Sequence, residues 1–213
     1  MKKNSVILYS GGIDSTVLLH WKKKEIALAL YFDYGAKSTF RELNVVNNFC
    51  DKLFIPLQVI SISQLFHNTS ALALINPRIE VPKKSAKENK SLIVPFRNGM
   101  FISMAACIAE EMGLRKILYG VIGEGGSTAI PDTSYEFTEA ISLAVKEGTR
   151  NKITVEAPLG MCGKSEVINL GRKLKIPLTE TYSCYAGTVV PCGKCEACVQ
   201  RISAFKEVGY EKW

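Results

Sequence analysis

An apolar run over residues 5–9 breaks at Ser10-Gly11-Gly12 and gives way to a helical pattern from residue 14 to 24, with Val17, Leu18 and Trp21 recurring on one face. Strand, tight turn and helix in that order open a βαβ unit, which commits the chain to a parallel sheet covered on both faces. The rest of the sequence repeats the pattern. Residues 26–32 form an almost wholly apolar strand, and Thr39 and Glu42, spaced like a capping box, open a helix over 39–53 with Leu43, Val46 and Phe49 on one face. A third strand over 57–61 follows Pro56. Helices over 98–112, 134–147 and 164–174 then alternate with strands over 116–119 and 153–156. Alternation of this kind predicts an α/β fold with right-handed crossovers. Residues 68–91 lose the pattern, carry Pro77, Pro82 and four lysines between 83 and 90, and read as a flexible insertion or lid.

Composition narrows the class. A chain of 213 residues, 47% hydrophobic and 22% charged, has the balance of a globular protein with a real core. The longest apolar stretches, 26–32 and 104–109, fall well short of the roughly 18 residues of a membrane span, so no membrane partner is expected. The first nine residues lack the apolar length of a secretion signal, and a cytoplasmic location is expected. A net charge of +7 favours polyanions such as nucleotides, phosphates or RNA without choosing among them.

The segment Tyr9-Ser10-Gly11-Gly12-Ile13-Asp14-Ser15-Thr16 carries the chemistry of the N-terminal half. Paired glycines let the backbone turn sharply and approach an anion, and the following helix start offers unpaired N–H groups with a partial positive charge. Ser10, Ser15 and Thr16 add hydroxyl donors. Asp14 would repel a phosphate unless it caps the helix or holds a magnesium ion. A plain βα turn would use the same glycines, but the full string directly after the first strand favours a pyrophosphate site. The string resembles the pyrophosphate-binding loop of the ATP pyrophosphatases (the PP-loop superfamily), which adenylate a substrate by cleaving ATP between its α and β phosphates. Residues 158–165 end like a Walker A loop, yet Pro158 stands where its first glycine must be. The glycine-rich loop over 120–127 has the wrong spacing for a dinucleotide fingerprint and is expected to shape a substrate pocket. Asp33 and Tyr34, ending the second strand beside the first, are either nucleotide contacts or turn residues.

Four of the seven cysteines, Cys184, Cys192, Cys195 and Cys198, fall within one short stretch near the C-terminus. Pairs separated by two residues let one turn aim both thiolates at a single ion, and four such ligands make a closed tetrahedral zinc site of structural type. An iron–sulfur cluster is the rival, and two disulfides are disfavoured by the expected compartment. Cys50, Cys107 and Cys162, scattered through apolar surroundings, read as small buried hydrophobes. A boundary near residue 176 therefore separates an ATP-binding α/β domain (1–176) from a four-cysteine extension (177–213).

Loop and tail together resemble the 7-cyano-7-deazaguanine synthases over nearly the whole chain. The resemblance rests on residues 10–15, Phe32-Asp33-Tyr34-Gly35, Val94-Pro95-Phe96-Arg97-Asn98-Gly99, Pro131-Asp132, Glu136-Phe137, Ser183-Cys184-Tyr185 and Cys192-Gly193-x-Cys195-x-x-Cys198, in that order. It implies a doubly wound parallel sheet of the adenine-nucleotide hydrolase type with a zinc-bearing extension, and a homodimer. It also implies a small-molecule substrate pair, a deazaguanine carboxylate and ammonia, with ATP and Mg2+ as cofactors. Two successive adenylations would turn the carboxylate into an amide and then a nitrile. On that basis Ser10, Gly11, Gly12, Asp14, Ser15, Thr16, Asp33 and Tyr34 are expected at the nucleotide. Asp14, Arg97 and Lys164 are expected to act in the chemistry, and Arg97, Asn98 and Asp132 to contact the substrate.

The chain departs from that family where Ile130-Pro131-Asp132-Thr133-Ser134 replaces the usual Tyr-Pro-Asp-Cys-Arg, and Ala36-Lys37 replaces a glutamine and a basic residue. A paralogue adenylating another carboxylate, or joining a deazaguanine to a protein partner, would look similar. Further alternatives are a tRNA-thiolating or lysidine-forming relative and a non-catalytic zinc ribbon that binds nucleic acid through residues 83–90.

Overall fold

The computed structural model describes residues 3–66, 71–83, 90–123 and 130–210. Five parallel strands, β1 (Ser5–Leu8), β2 (Ile26–Asp33), β3 (Leu57–Ser61), β4 (Lys116–Tyr119) and β5 (Thr154–Glu156), lie in the order β3-β2-β1-β4-β5. The helices are α1 (Ile13–Lys22), α2 (Thr39–Leu53), the short α3 (Leu72–Ile75), α4 (Arg97–Glu111), α5 (Tyr135–Gly148), α6 (Lys164–Lys173) and α7 (Glu196–Glu207). β1 is central, with Ile7 aligned to Ala29 of β2 and Leu118 of β4. The chain winds outward through β2 and β3, then crosses back to β4 and β5. The strand order therefore reverses between β1 and β4, and in open α/β sheets ligands bind in the crevice beyond the strand ends at that point.

Alternation along the strands fills two cores. Ile7, Tyr31 and Leu118 face α1, α2, α6 and α7 on one side, where Val17, Phe49, Ile168 and Phe205 pack. Val6, Leu30, Phe32 and Ile117 face α4 and α5, with Ile102, Ala109 and Val145. The segment Lys90–Glu111 is apolar and long enough to pass a test for a membrane span. Here α4 starts at Arg97 and packs Ile102, Ala105 and Ala109 into that second core.

The expected strands and helices form within a residue or two of their predicted bounds, but three local readings are corrected. Thr39 and Glu42 do not make a capping box: Thr39 Oγ1 donates to Asp33 Oδ1 at 3.1 Å, and Glu42 Oε2 accepts from Tyr31 Oη at 2.8 Å, because the end of β2 offers both residues closer partners. The stretch expected to be a lid is packed over part of its described residues: Ala71, Ala73, Leu74 and Val81 join Tyr34, Tyr182 and the four clustered cysteines in a third apolar cluster, while residues 77–80 are exposed. Residues 68–70 and 84–89 of that stretch, including Asn68 and Lys84, and residues 124–129 of the glycine-rich loop lie outside the described residues. Of the scattered cysteines Cys50 is buried, as expected, whereas Cys107 is exposed on α4 and Cys162 only half-buried.

Residues 178–210 share these cores. Leu178, Ala204 and Phe205 enter the first, Tyr182 and the cysteines the third. Arg201 of α7 is 4% exposed and donates to Thr181 Oγ1 at 2.7 Å, Ser183 Oγ at 3.3 Å and the Leu178 carbonyl at 2.9 Å, stitching the helix to the segment that leads into the cluster. Burial lowers its pKa to about 10, which leaves it charged at neutral pH.

Two substitutions with opposite signs check this reading. Leu118→Ala should lower stability by about 2–5 kcal/mol, because it empties volume between β4 and the first core with little room to collapse. Phe54 caps α2 in the left-handed region at φ 53° with its ring 88% exposed, so Phe54→Gly should raise stability by about 1 kcal/mol. Urea unfolding with an unchanged m-value reads both.

Candidate active site

The loop from β1 into α1 is shaped by one left-handed residue. Gly11 has φ +75°, and a Cβ there would stand 3.3 Å from the Glu42 carbonyl oxygen and the Val45 side chain. Gly12 returns to extended backbone as the N-cap of α1, and no side chain caps that helix. The first N–H groups of α1 therefore have no side-chain cap, the arrangement that leaves a helix start free to hold a phosphate. The hydroxyls of Ser10 and Ser15 lie 3.1 Å apart, and Ser15 Oγ also donates to the Gly12 carbonyl at 3.2 Å. From the tail, the Tyr182 N–H donates to the Gly11 carbonyl at 3.1 Å and fixes the loop from outside.

A cavity of about 780 Å³ opens over this loop at the switch point between β1 and β4. Ser10, Gly12, Asp14 and Ser15 line one part of it, and Tyr34, Arg97 and Asn98 another. Gly120, just past β4, abuts the loop so closely that a Cβ on it would lie 2.9 Å from the Ser15 nitrogen. Two residues expected at the nucleotide are engaged elsewhere. Thr16 is fully buried, its hydroxyl 3.2 Å from Tyr9 Oη. Asp33 is a turn residue, its Oδ1 accepting from the Gly35 N–H at 2.9 Å as well as from Thr39.

The candidate cations are both at the cavity. Lys164, first residue of α6, places Nζ 2.8 Å and 2.6 Å from the two carboxylate oxygens of Asp14. Asp14 thus neither caps α1 nor stands unpaired. Arg97, first residue of α4, donates to Tyr34 Oη at 3.0 Å and lies over the Tyr34 ring. Its pKa is raised: the phenols of Tyr34 and Tyr185 and the carboxylates of Asp132 and Glu42 outweigh a larger single opposing effect, burial. Asp132 supports this corner without lining the cavity, since its Oδ2 accepts from the Asn98 N–H at 2.7 Å and its carbonyl accepts from Asn98 Nδ2 at 3.0 Å. A carboxylate on the first-turn N–H groups pins the start of α4 and with it Arg97.

Sequence reasoning missed two groups. Ser165 Oγ is buried at the start of α6 without a hydrogen-bond partner. The signal for it was present, in Gly163-Lys164-Ser165 at a helix start. Glu42 faces the cavity beside Arg97 and the loop. No sequence signal marked it, because its spacing to Thr39 read as a cap.

The four cysteines of the tail converge, with sulfurs all within 4.8 Å of one another. A tetrahedral ion with Zn–S bonds of about 2.3 Å needs sulfurs about 3.8 Å apart, so the cluster fits a four-sulfur metal site with little adjustment. Backbone N–H groups of Cys192 and Cys195 donate to the sulfurs of Cys184 and Cys192 at 3.3 and 3.4 Å, which holds two of the four sulfurs in place. Gly187 and Gly193 supply left-handed turns at φ +70° around the cluster.

Gly120→Ala should weaken ATP binding at least about tenfold by displacing the Ser15 backbone, while the far-UV circular dichroism stays that of the parent. Cys195→Ser should lower bound metal per chain and reduce the melting temperature, read by metal analysis and calorimetry on the same sample.

Comparison with known proteins agrees with this geometry. The sequence model described as "Queuosine biosynthesis protein QueC" matches residues 4–209. A 7-cyano-7-deazaguanine synthase of Porphyromonas gingivalis is 39% identical over 214 residues, covering 98% of this chain and 94% of that protein. Those of Nautilia profundicola and Methanosarcina mazei are each 34% identical, covering 98% and 96% of this chain and 96% and 94% of theirs. Among solved structures, NMN synthetase from Francisella tularensis shares the fold with a TM-score of 0.54 at 14% identity, covering 99% of this chain and 79% of its own. With the family model matching residues 4–209 and a relative 39% identical along almost the whole of both chains, the chain belongs to the QueC family.

Proposed function

We propose that this enzyme converts 7-carboxy-7-deazaguanine and ammonia to 7-cyano-7-deazaguanine, consuming two ATP and releasing AMP and pyrophosphate twice. What carries the reading is one cavity with the phosphate loop on one side and Arg97 on the other. A carboxylate resists ammonia because oxide is a very poor leaving group. Adenylation replaces oxide by AMP, and the protein's part is then positioning and charge neutralisation. The N–H groups and hydroxyls of Ser10, Gly12 and Ser15 are suited to the departing pyrophosphate, while Arg97 and Asn98 face the substrate side. Magnesium supplies neutralisation of the phosphates when bound. Asp14 is the loop carboxylate that would hold it, which leaves Lys164 as the cation for the α-phosphate.

We assign the cysteine cluster to structural zinc, since all four ligands come from the protein and no position remains for substrate. Through Arg201 and Tyr182 the cluster braces the loop. One observation favours a second reading: Ile130 and Thr133 line the cavity where the family pattern carries tyrosine and cysteine. On that reading the chain adenylates a different carboxylate.

Incubation with ATP, magnesium, ammonia and 7-carboxy-7-deazaguanine, followed by mass spectrometry, should yield the nitrile with two AMP per product. No AMP dependent on this carboxylate would move the assignment to the second reading, to be checked with other carboxylates in the same assay, and AMP formed with it but without nitrile would overturn the nitrile step.

A further inference from the structure

We propose that Glu42 is the proton acceptor of the site, taking protons from the substrate nitrogen as ammonia becomes first amide and then nitrile. The assignment rests on the adenylation reading above and adds the base which that chemistry requires.

Glu42 sits on the first turn of α2, where its main chain packs against Gly11 of the phosphate loop and its carboxyl group faces the cavity. It therefore lies between the side that would hold the leaving phosphates and the Arg97 side that would hold the acyl group. The linkage between the two, where nitrogen must attack, falls in that interval. Its hydrogen-bond partners are two hydroxyls, Tyr31 Oη at 2.8 Å and Ser38, with no cation bonded to it among the described residues. Arg97 interacts with it electrostatically but spends its own hydrogen bond on Tyr34. Asp33 adds nearby negative charge.

A carboxylate so enclosed and held only by hydroxyls is costly for folding and poorly explained as a cap, which it does not form. Burial raises its pKa from the ordinary carboxylate value, against the opposing effects of Ser38, Tyr31 and Arg97. The shift brings a carboxylate toward the range where a general base works at neutral pH.

The proton balance defines the role. In the first half a C–N bond forms from the ammonia lone pair, the C–O bond to AMP breaks with its electrons leaving on the phosphate, and nitrogen sheds one proton. In the second half the amide oxygen is adenylated, the C–O bond to AMP breaks, and two N–H electron pairs become C–N π bonds as the remaining two protons leave. Each proton passes singly to the Glu42 carboxylate and on to solvent through the open cavity before the next is taken.

Glu42→Gln keeps the shape and both hydroxyl contacts but cannot accept a proton. It should retain carboxylate-dependent ATP–pyrophosphate exchange within about threefold of the parent, while amide and nitrile formation fall by about 100-fold or more. Nitrile formation by the parent should rise with pH through an ionisation above the usual glutamate range, and Glu42→Asp should displace that ionisation. If Glu42→Gln fails to fold, the displaced profile of Glu42→Asp, measured against an unchanged exchange rate, carries the test. Nitrile formation within tenfold of the parent, a raised carboxylate KM with kcat intact, or a parallel loss of exchange would each overturn the role. Absence of exchange in the parent would overturn the adenylation reading itself, and the assignment with it.

Discussion

Gly11 is the fixed point of the molecule. Its left-handed backbone turns β1 into α1, and its carbonyl is bound from outside by the Tyr182 N–H. The space around it is closed to a side chain by Glu42 and Val45 of α2. One residue thus brings together the central strand, the second helix and the cysteine-bearing tail, and the loop side of the cavity takes its shape from that junction. The arrangement is stiff because each contact is made by backbone or by a buried element, which is what a site relying on placement rather than on a reactive nucleophile needs.

Charge in the cavity is arranged in two corners. On the loop side Asp14 and Lys164 neutralise each other across elements 150 residues apart in sequence. On the other side Arg97 is surrounded by the phenols of Tyr34 and Tyr185 and by acidic groups at longer range. The loop side thus has a cation already in place, and the second cation is held by an aromatic face and a phenol rather than by a competing carboxylate hydrogen bond. The surplus positive charge of the whole chain is consistent with an anionic ligand but does not by itself locate one.

Much of this was legible in the residues. The alternation of apolar runs with amphipathic stretches marked all five strands and the long helices before α7, since a parallel strand buried on both faces has no other way to read. The phosphate loop and the cysteine quartet were legible because each needs particular residue types at fixed spacing. What the sequence hid depends on partners that only the folded backbone brings into contact. Thr16 looks like a phosphate ligand until Tyr9 claims its hydroxyl, and Asp33 until Gly35 and Thr39 do. Glu42 looks like a helix cap until β2 places Tyr31 beside it. The stretch after residue 70 looks mobile because its apolar residues follow no period, yet they pack against the cysteine cluster. The helix α7 was masked by the metal motif at its start.

That last helix has a consequence for how the protein comes into being. Phe205 and Ala204 complete the core beneath α1 and α6, and the brace on Gly11 comes from residue 182. During synthesis from the N-terminus, the first strand and its turn emerge before residues 182, 204 and 205 and gain this support only when those residues have left the ribosome. Until then the nascent protein carries an unbraced turn and an unsealed apolar face, a period in which chaperones, rather than its own packing, would shield it.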